Sequence, residues 1–227
     1  MTSKTEKEEL DYPAYIAIDS EGLGEHADLY PSVSWAFAVL SHHGKVLHTW
    51  QTFIPVRVDQ TNIEPRCWKE FWSHVPEQVT HLAAQCRKSP YTTVTEAYQA
   101  ISDQIEFIYD TFDSVQEQKN GFNYPIKKGR LIWVTDNGQY DIGRLNHYLW
   151  KYTKRTTGVV YSEKGAYHCN EDCGSYKDGL KVDDPNRYQD LKSQVDQRGF
   201  KKTHDCIDDA LHIGYEYAIF LGGASSL

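Results

Sequence analysis

The chain has 227 residues, of which 40% are hydrophobic and 25% charged, and its formal net charge is −8. This length predicts one domain with a substantial core, and the negative charge argues against a protein that wraps long duplex DNA. Residues 1–10 form no apolar signal segment, and no apolar run is long enough to span a bilayer. The five cysteines are odd in number and scattered. We therefore expect a cytoplasmic or otherwise intracellular protein with reduced thiols and no membrane partner.

The acidic end of the first predicted strand is the strongest local signal. Residues 1–11 are predicted to form a disordered polar arm, and residues 12–227 a single domain whose first strand runs over Tyr15–Ile18. Asp19 and Glu21 follow this strand and point to the same side of it, because side chains in a strand alternate. Two neighbouring carboxylates at the end of a buried strand indicate a divalent cation between them. The alternative is that Asp19 caps a turn and Glu21 is solvated.

Two more strands and a helix are predicted next. Trp35–Leu40 and Trp50–Ile54 lie close in sequence, so we expect an antiparallel meander with the acidic strand at its interior edge. Arg66–Arg87 is predicted to be a helix on which Trp68 and Trp72 share one face. These two aromatics either pack on the sheet or form a stacking surface for an unpaired base.

The clearest amphipathic helix is predicted over Thr92–Phe112. Thr93 and Glu96 form a capping-box pattern at its start, and apolar residues follow at helical spacing. We assign this helix to the core, without chemistry. Lys119–Gly129 is predicted to be a polar loop.

A second strand with an acid beyond its end follows. Leu131–Thr135 is predicted to be a buried strand, and Gln139–Tyr152 a helix with Asp141 in its first turn. A carboxylate there is favourable with the helix dipole alone, but it is also placed to face the end of a neighbouring strand. Asp136 is a second acid that competes for the same role.

The last part of the chain changes in character. Residues 156–200 are predicted to be an irregular insertion with a short strand near Gly158–Tyr161 and a short helix near Tyr188–Val195. The final helix is predicted from about His204 to Leu221. Three acids and a histidine crowd into its first six residues, which is costly unless the charges are used or solvated.

Three motifs resemble those of a known enzyme family. They are Ile18-Asp19-Ser20-Glu21, then Asn137-Gly138-Gln139-Tyr140-Asp141-Ile142, and last His204-Asp205-Cys206-Ile207-Asp208-Asp209-Ala210. In this order they resemble the DEDDh 3′→5′ exonucleases, the group that includes ribonuclease T, oligoribonuclease and polymerase proofreading domains. The family patterns are hydrophobic-Asp-x-Glu, Asn-x-x-Phe-Asp and His-x-x-x-x-Asp.

The resemblance implies a fold, a cofactor and roles for five residues. The expected fold is α/β, with a ribonuclease H-like mixed central sheet flanked by helices and an irregular insertion before the last helix. The expected cofactors are two divalent cations, Mg²⁺ or Mn²⁺. By resemblance, Asp19 bridges both ions, Glu21 and Asp209 hold the ion beside the attacking water, and Asp141 supports the second ion. His204 is the expected general base, since an imidazole titrates near neutrality.

The resemblance also implies a substrate, the 3′ ends of single-stranded RNA or DNA. Leu23 and either Trp68 or Trp72 are candidates for a wall against the terminal base. Lys201 and Lys202 are candidates for phosphate contacts, although a solvated approach to the last helix explains these lysines equally well. Asp208 remains an alternative to Asp209, and a homodimer is left open.

Other functions fit parts of the pattern. The acids alone would also suit a ribonuclease H-like endonuclease, and His204 is what favours the exonuclease. A nucleic-acid-binding module without catalysis and a polymerase-associated proofreading subunit are the remaining alternatives.

Overall fold

The computed structural model describes residues 13–112, 116–119, 122–125, 131–138, 140–155, 170–197, 199 and 202–220, so the predicted arm at 1–11 lies outside the described residues. The strands are β1 (Pro13–Gly22), β2 (Ser32–Ser41), β3 (Val46–Phe53), β4 (Gln116–Lys119), β5 (Phe122–Pro125), β6 (Ile132–Thr135) and β7 (Asn170–Asp172). The helices are α1 (Pro65–Glu70), α2 (Pro76–Arg87), α3 (Val94–Phe112), α4 (Asp141–Thr153), α5 (Cys173–Asp183), α6 (Pro185–Gln197) and α7 (Cys206–Phe220).

The central sheet is mixed and has the strand order β3-β2-β1-β6-β7. The pairs β1–β2 and β2–β3 are antiparallel, whereas β1–β6 and β6–β7 are parallel. The predicted meander is therefore confirmed, with the acidic strand β1 inside the sheet. The carboxyl ends of β1 and β6 lie at the same edge, which is where open α/β sheets place ligand sites.

Helices cover both faces of this sheet because its strands bury apolar side chains on both sides. Ile16 and Ile18 of β1 belong to one buried cluster, which α3 and α4 complete. Ala17, between them, points to the opposite face and packs in a second cluster with α7. At Gly214 of α7 an added Cβ would lie 2.4 Å from a methyl carbon of Leu40, so the glycine allows α7 to approach the sheet closely.

Several predicted elements are confirmed. The strand ending in Thr135 and the helix after it form β6 and α4. The long amphipathic helix is α3, and its start has the predicted capping bonds, since Thr93 Oγ1 accepts the N–H of Glu96 while the Glu96 carboxylate accepts the N–H of Thr93. The final helix begins at Cys206, so His204 lies on the preceding loop.

The predicted helix over Arg66–Arg87 is wrong. The chain forms α1, then a single 3₁₀ turn at Trp72–His74, then α2. Helix geometry is lost at Phe71, and Pro76 starts the next helix because proline has no N–H to donate and restricts the residue before it. Trp68 and Trp72 therefore do not share one helix face.

Two regions predicted to be irregular are regular where the structure describes them. Within Lys119–Gly129, Phe122–Pro125 pairs with Gln116–Lys119 in a hairpin. Within 156–200, the chain forms β7, α5 and α6, and the predicted helix near Tyr188–Val195 is part of α6. The strand predicted near 158–161 lies outside the described residues.

The sequence pattern did not reveal α5 and gave only part of α6, because the described residues of these helices bury few side chains. Val195 is the buried residue of α6, and it packs in a small cluster with Ile219 and Phe220 of α7. Among the described helices, none combines the length and hydropathy that a bilayer crossing requires.

Candidate active site

The site lies where β1 and β6 end, beside the N-terminal ends of α4 and α7. Asp19 and Glu21 share the face of β1 that carries Ala17, which is the face covered by α7. The first turn of α7 carries Asp209. Strand alternation and helix packing thus bring together acids that are far apart in sequence.

Glu21, His204 and Asp209 form the tightest group. Each offers a ligand atom, and these atoms lie within 4.8 Å of one another. Asp209 is fixed by the N–H of Thr203, which donates to its Oδ1 at 2.8 Å. Asp208 is exposed, and its Oδ2 accepts the Thr203 hydroxyl at 3.0 Å. The structure therefore places Asp209, and not Asp208, in the group.

Asp141 approaches from the other face of the sheet, at the first residue of α4. Its two oxygens accept hydroxyl hydrogen bonds, one from Ser20 at 2.7 Å and one from Thr135 at 2.5 Å. Both donors sit at strand ends, so the carboxylate is held rigidly. Asp136, the competing acid, instead forms ion pairs with Lys177, at 3.2 Å, and with Lys202.

We call Asp19, Glu21, Asp141 and Asp209 the acid cluster. Burial raises the pKa of Asp19 well above its ordinary value, and the charges of Asp141 and Asp209 raise it further. Burial and the neighbouring acids likewise raise the pKa of Glu21. Burial also raises the pKa of Asp141, to about 6, although hydroxyl hydrogen bonds oppose it, and it raises that of Asp209.

The acid cluster fits a divalent cation. Asp19 Oδ2 is buried and has no hydrogen-bond partner among the described residues, so this oxygen is available to coordinate a cation. The donors are mainly carboxylate oxygens, which Mg²⁺ and Mn²⁺ prefer. Bound cations would relieve the repulsion that raises the pKa values of these acids.

The predicted substrate-binding residues differ in their exposure and contacts. Leu23 and Trp72 are 0% and 1% exposed and pack together in a buried cluster, so neither offers a stacking surface. Trp68 is partly exposed and lines a surface pocket of about 320 Å³ with Tyr30 and other residues. Lys202 contacts Asp136.

Lys201 lies outside the described residues.

Sequence reasoning missed the residues that surround His204 and Asp19. The Phe71 ring meets the His204 ring edge-on, with 4.8 Å between the ring centroids. The side-chain amide of Gln78 donates to the backbone carbonyl of His204, and Cys206 Sγ donates to the backbone carbonyl of Asp19 at 2.9 Å. Phe71 could have been noticed, since it lies between Trp68 and Trp72 in sequence. Gln78 could not, because 126 residues separate it from His204 and no local pattern connects them.

No protein-family model and no curated protein matches the chain. Among solved structures, a full-length 3′-exonuclease has a TM-score of 0.51 and 14% identity; the match covers 95% of this chain and 64% of that one, so the chain spans just under two thirds of its length. S. pombe Pop2p, in its Mg²⁺- and Mn²⁺-bound form, has a TM-score of 0.51 and 12% identity. The match covers 91% of this chain and 82% of that one. The nuclease domain of 3′hExo, a DEDDh family member bound to rAMP, has a TM-score of 0.49 and 11% identity, with 96% of both chains covered.

The first two of these structures establish the fold. The chain has a ribonuclease H-like fold, with a mixed central sheet flanked by helices. The fold class that the three motifs implied is confirmed.

Proposed function

We propose that the protein is a metal-dependent 3′→5′ exonuclease that hydrolyses single-stranded RNA or DNA. The observation that carries this proposal is the convergence of four carboxylates and one imidazole at the carboxyl ends of β1 and β6. The fold supports it, since it is shared with a 3′-exonuclease and with Pop2p in a Mg²⁺- and Mn²⁺-bound form. The 3′→5′ direction rests on the motif resemblance.

The acid cluster would hold two divalent cations. Asp19 would serve as a ligand through the buried oxygen that has no hydrogen-bond partner among the described residues. Glu21 and Asp209, which lie beside His204, would contribute on one side, and Asp141, which approaches from the other face of the sheet, would contribute on the other. When bound, such a pair of cations neutralises the phosphate, activates water and stabilises the leaving oxygen. Ser20 and Thr135 keep Asp141 oriented as a ligand by bonding to its two oxygens.

His204 would act as general base. It is partly exposed on the loop before α7, so its imidazole can reach both the solvent and the acid cluster. In the reaction, the imidazole takes a proton from the attacking water. The new oxygen–phosphorus bond forms as the bond to the 3′ oxygen breaks. The leaving oxygen takes a proton from a solvent water molecule, and the imidazolium returns its proton to the solvent.

The substrate would be recognised locally, since the chain carries a net charge of −8. Lys202 is a candidate for a phosphate contact, since its charge acts on Asp19 and Asp209 and opposes the rise in their pKa values. Trp68, with its partly exposed ring, is the predicted aromatic that remains available for stacking on a base.

The test uses 5′-labelled single-stranded RNA and DNA of equal sequence, with Mg²⁺ or Mn²⁺. We expect a ladder that shortens from the 3′ end with the wild-type protein. Asp19→Ala and His204→Ala should abolish it. Asp208→Asn, which changes the exposed acid beside Asp209, is the matched control and should retain the ladder.

Three results would contradict the proposal. Cleavage at internal positions would indicate an endonuclease. Activity that survives Asp19→Ala would remove the acid cluster from the reaction. Binding of the oligonucleotide without any cleavage in either metal would indicate a non-catalytic binding module.

A further inference from the structure

His204 has an unusual backbone conformation. Its φ angle is +58°, in the left-handed region, where a side chain with a Cβ is disfavoured by roughly 1–2 kcal/mol. A residue persists there only when its surroundings hold it, and such residues concentrate at functional sites. The contacts of His204 must therefore hold this conformation.

Two contacts come from a distant part of the chain, around the break between α1 and α2. Gln78, in the first turn of α2, donates its side-chain amide to the backbone carbonyl of His204. Phe71, at the end of α1, places its ring edge-on to the imidazole, with an interplanar angle of 81°. One residue thus holds the backbone of His204, and the other holds its ring.

The residues on either side of His204 are fixed by other bonds. Thr203 donates its N–H to Asp209 at 2.8 Å. The carboxylate of Asp205 accepts the side-chain amide of Gln51 at 3.0 Å and the N–H of Ile207 at 3.1 Å. Removing the Gln78 amide therefore leaves the flanking anchors in place and acts on His204 itself.

We propose that Gln78 is a positioning residue, which together with Phe71 holds His204 in the left-handed conformation that keeps its imidazole beside Glu21 and Asp209. This inference rests on the proposed role of His204 as general base. Because a displacement of about 1 Å at a reacting group can lower a rate about 100-fold, the loss of a single amide hydrogen bond has a measurable effect here.

The experiment compares Gln78→Leu with Gln99→Leu. Leucine keeps the approximate size of glutamine but cannot donate, and Gln99 makes a similar amide bond, to Asp103 at 2.8 Å, on the exposed surface of α3. We expect Gln78→Leu to lower the single-turnover cleavage rate by about 10- to 100-fold, with little change in oligonucleotide binding. Gln99→Leu should match the wild type.

A double-mutant cycle with His204→Ala separates positioning from general structural damage. The cycle uses the residual single-turnover rate of His204→Ala, measured with protein in large excess and at long reaction times, where slow cleavage too weak to give a ladder in the standard assay is still quantified. If Gln78 acts through His204, adding Gln78→Leu to His204→Ala should cause no further loss of this residual rate. A second readout needs no activity: in histidine-labelled protein, the imidazole NMR signal that disappears in His204→Ala should shift in Gln78→Leu and stay unchanged in Gln99→Leu.

The outcomes distinguish this inference from the proposed function. Additive losses in the cycle, or an unchanged imidazole signal in Gln78→Leu, would overturn the positioning role. Full activity in His204→Ala, with the imidazole signal still shifted by Gln78→Leu, would overturn the catalytic proposal and support the contact. An inactive His204→Ala beside a fully active Gln78→Leu would overturn the inference alone.

Discussion

Two groups of charged side chains lie near the same end of the sheet, and they are built in opposite ways. The acid cluster combines buried carboxylates whose pKa values are raised by burial and by one another. The second group, which we call the paired network, consists of Asp136, Lys177, Lys202, His212 and Glu216. There Lys177 bridges Asp136, at 3.2 Å, and Glu216, at 2.5 Å.

The pKa of Glu216 shows what pairing achieves. Burial alone would raise it, but hydrogen bonds from His212 and Lys177 outweigh burial and lower the pKa to about 2. The fold therefore supplies cationic partners for a buried acid where the acid has a structural role. In the acid cluster the repulsion is left in place, which is expected of a site whose cations come from solution.

Neutralising one acid in each group should affect the two groups very differently. Asp19→Asn removes a carboxylate that we propose as a cation ligand, and we expect the single-turnover cleavage rate to fall by about 10³-fold or more. Asp136→Asn removes an acid of the paired network, and the rate should stay within about tenfold of wild type. The measurement is single-turnover cleavage of labelled single-stranded RNA.

The same pair of variants should diverge in stability. In the presence of a chelator, Asp19→Asn should raise the free energy of unfolding by roughly 1–3 kcal/mol, because a buried charge without a hydrogen bond at Oδ2 is replaced by a neutral side chain. Asp136→Asn should lower it. If both variants lost activity and stability together, the two groups would not differ as we describe.

The pH dependence of stability tests the raised pKa values. A carboxyl whose pKa is raised by folding stabilises the folded state at low pH, and this contribution is lost as the pH rises through the folded value. For Asp141 that window runs from about 4 to about 6, and a shift of about two units corresponds to roughly 3 kcal/mol. Glu216 has a lowered pKa of about 2, so its contribution to stability has the opposite sign and rises with pH until the unfolded carboxyl is ionised. Because the ordinary pKa of a Glu is near 4.5, this contribution is nearly complete at about pH 5, and a comparison made above pH 5 is dominated by the raised pKa values.

We therefore expect metal-free protein to be less stable at pH 7.5 than at pH 5, as measured by urea unfolding with a chelator present. Asp141→Asn should weaken this trend. Metal-free stability that rises with pH across this range would contradict the pKa directions.

Added divalent cations should bind the acid cluster and not the paired network. At a concentration 100 times its dissociation constant, Mn²⁺ should stabilise the wild-type protein by about 2.7 kcal/mol, and it should reduce the pH dependence described above. Asp136→Asn should keep this response, while Asp209→Asn should lose most of it. The measurement is thermal unfolding during a Mn²⁺ titration, and an equal response in both variants would argue against cation binding in the acid cluster.

The sequence predicted the parts of the fold that bury apolar residues at a regular period. The first strand and the helix α3 are of this kind. The helix was found close to its expected bounds, whereas the strand predicted over Tyr15–Ile18 is longer, Pro13–Gly22, and includes Asp19 and Glu21. Helix α5 was missed, and α6 was predicted only over Tyr188–Val195, because the described side chains of both helices are mostly exposed and their sequences carry little apolar periodicity. The break at Phe71 was missed although Pro76 marks a helix start, because the spacing of Trp68 and Trp72 suggested one continuous face.

The acid cluster was also readable from sequence, because each acid follows or begins a predictable element. The choices between Asp141 and Asp136, and between Asp209 and Asp208, needed the structure, since they depend on contacts between distant elements. Lys177 accounts for part of that difficulty. It lies in a helix that the sequence did not reveal, and it is this residue that pairs with Asp136.

The smallest expected effect is on the paired network itself. Lys177 has a side chain that is 14% exposed, so Lys177→Met should leave Asp136 and Glu216 short of a cation and lower the free energy of unfolding by about 2 kcal/mol. Cleavage should be little changed, because Lys177 does not contact the acid cluster. Adding Glu216→Gln should recover part of the stability, since the uncompensated buried charge is then removed. Guanidinium unfolding of the single and double variants measures both effects, and a loss of activity without a loss of stability in Lys177→Met would mean that the two groups are not separate.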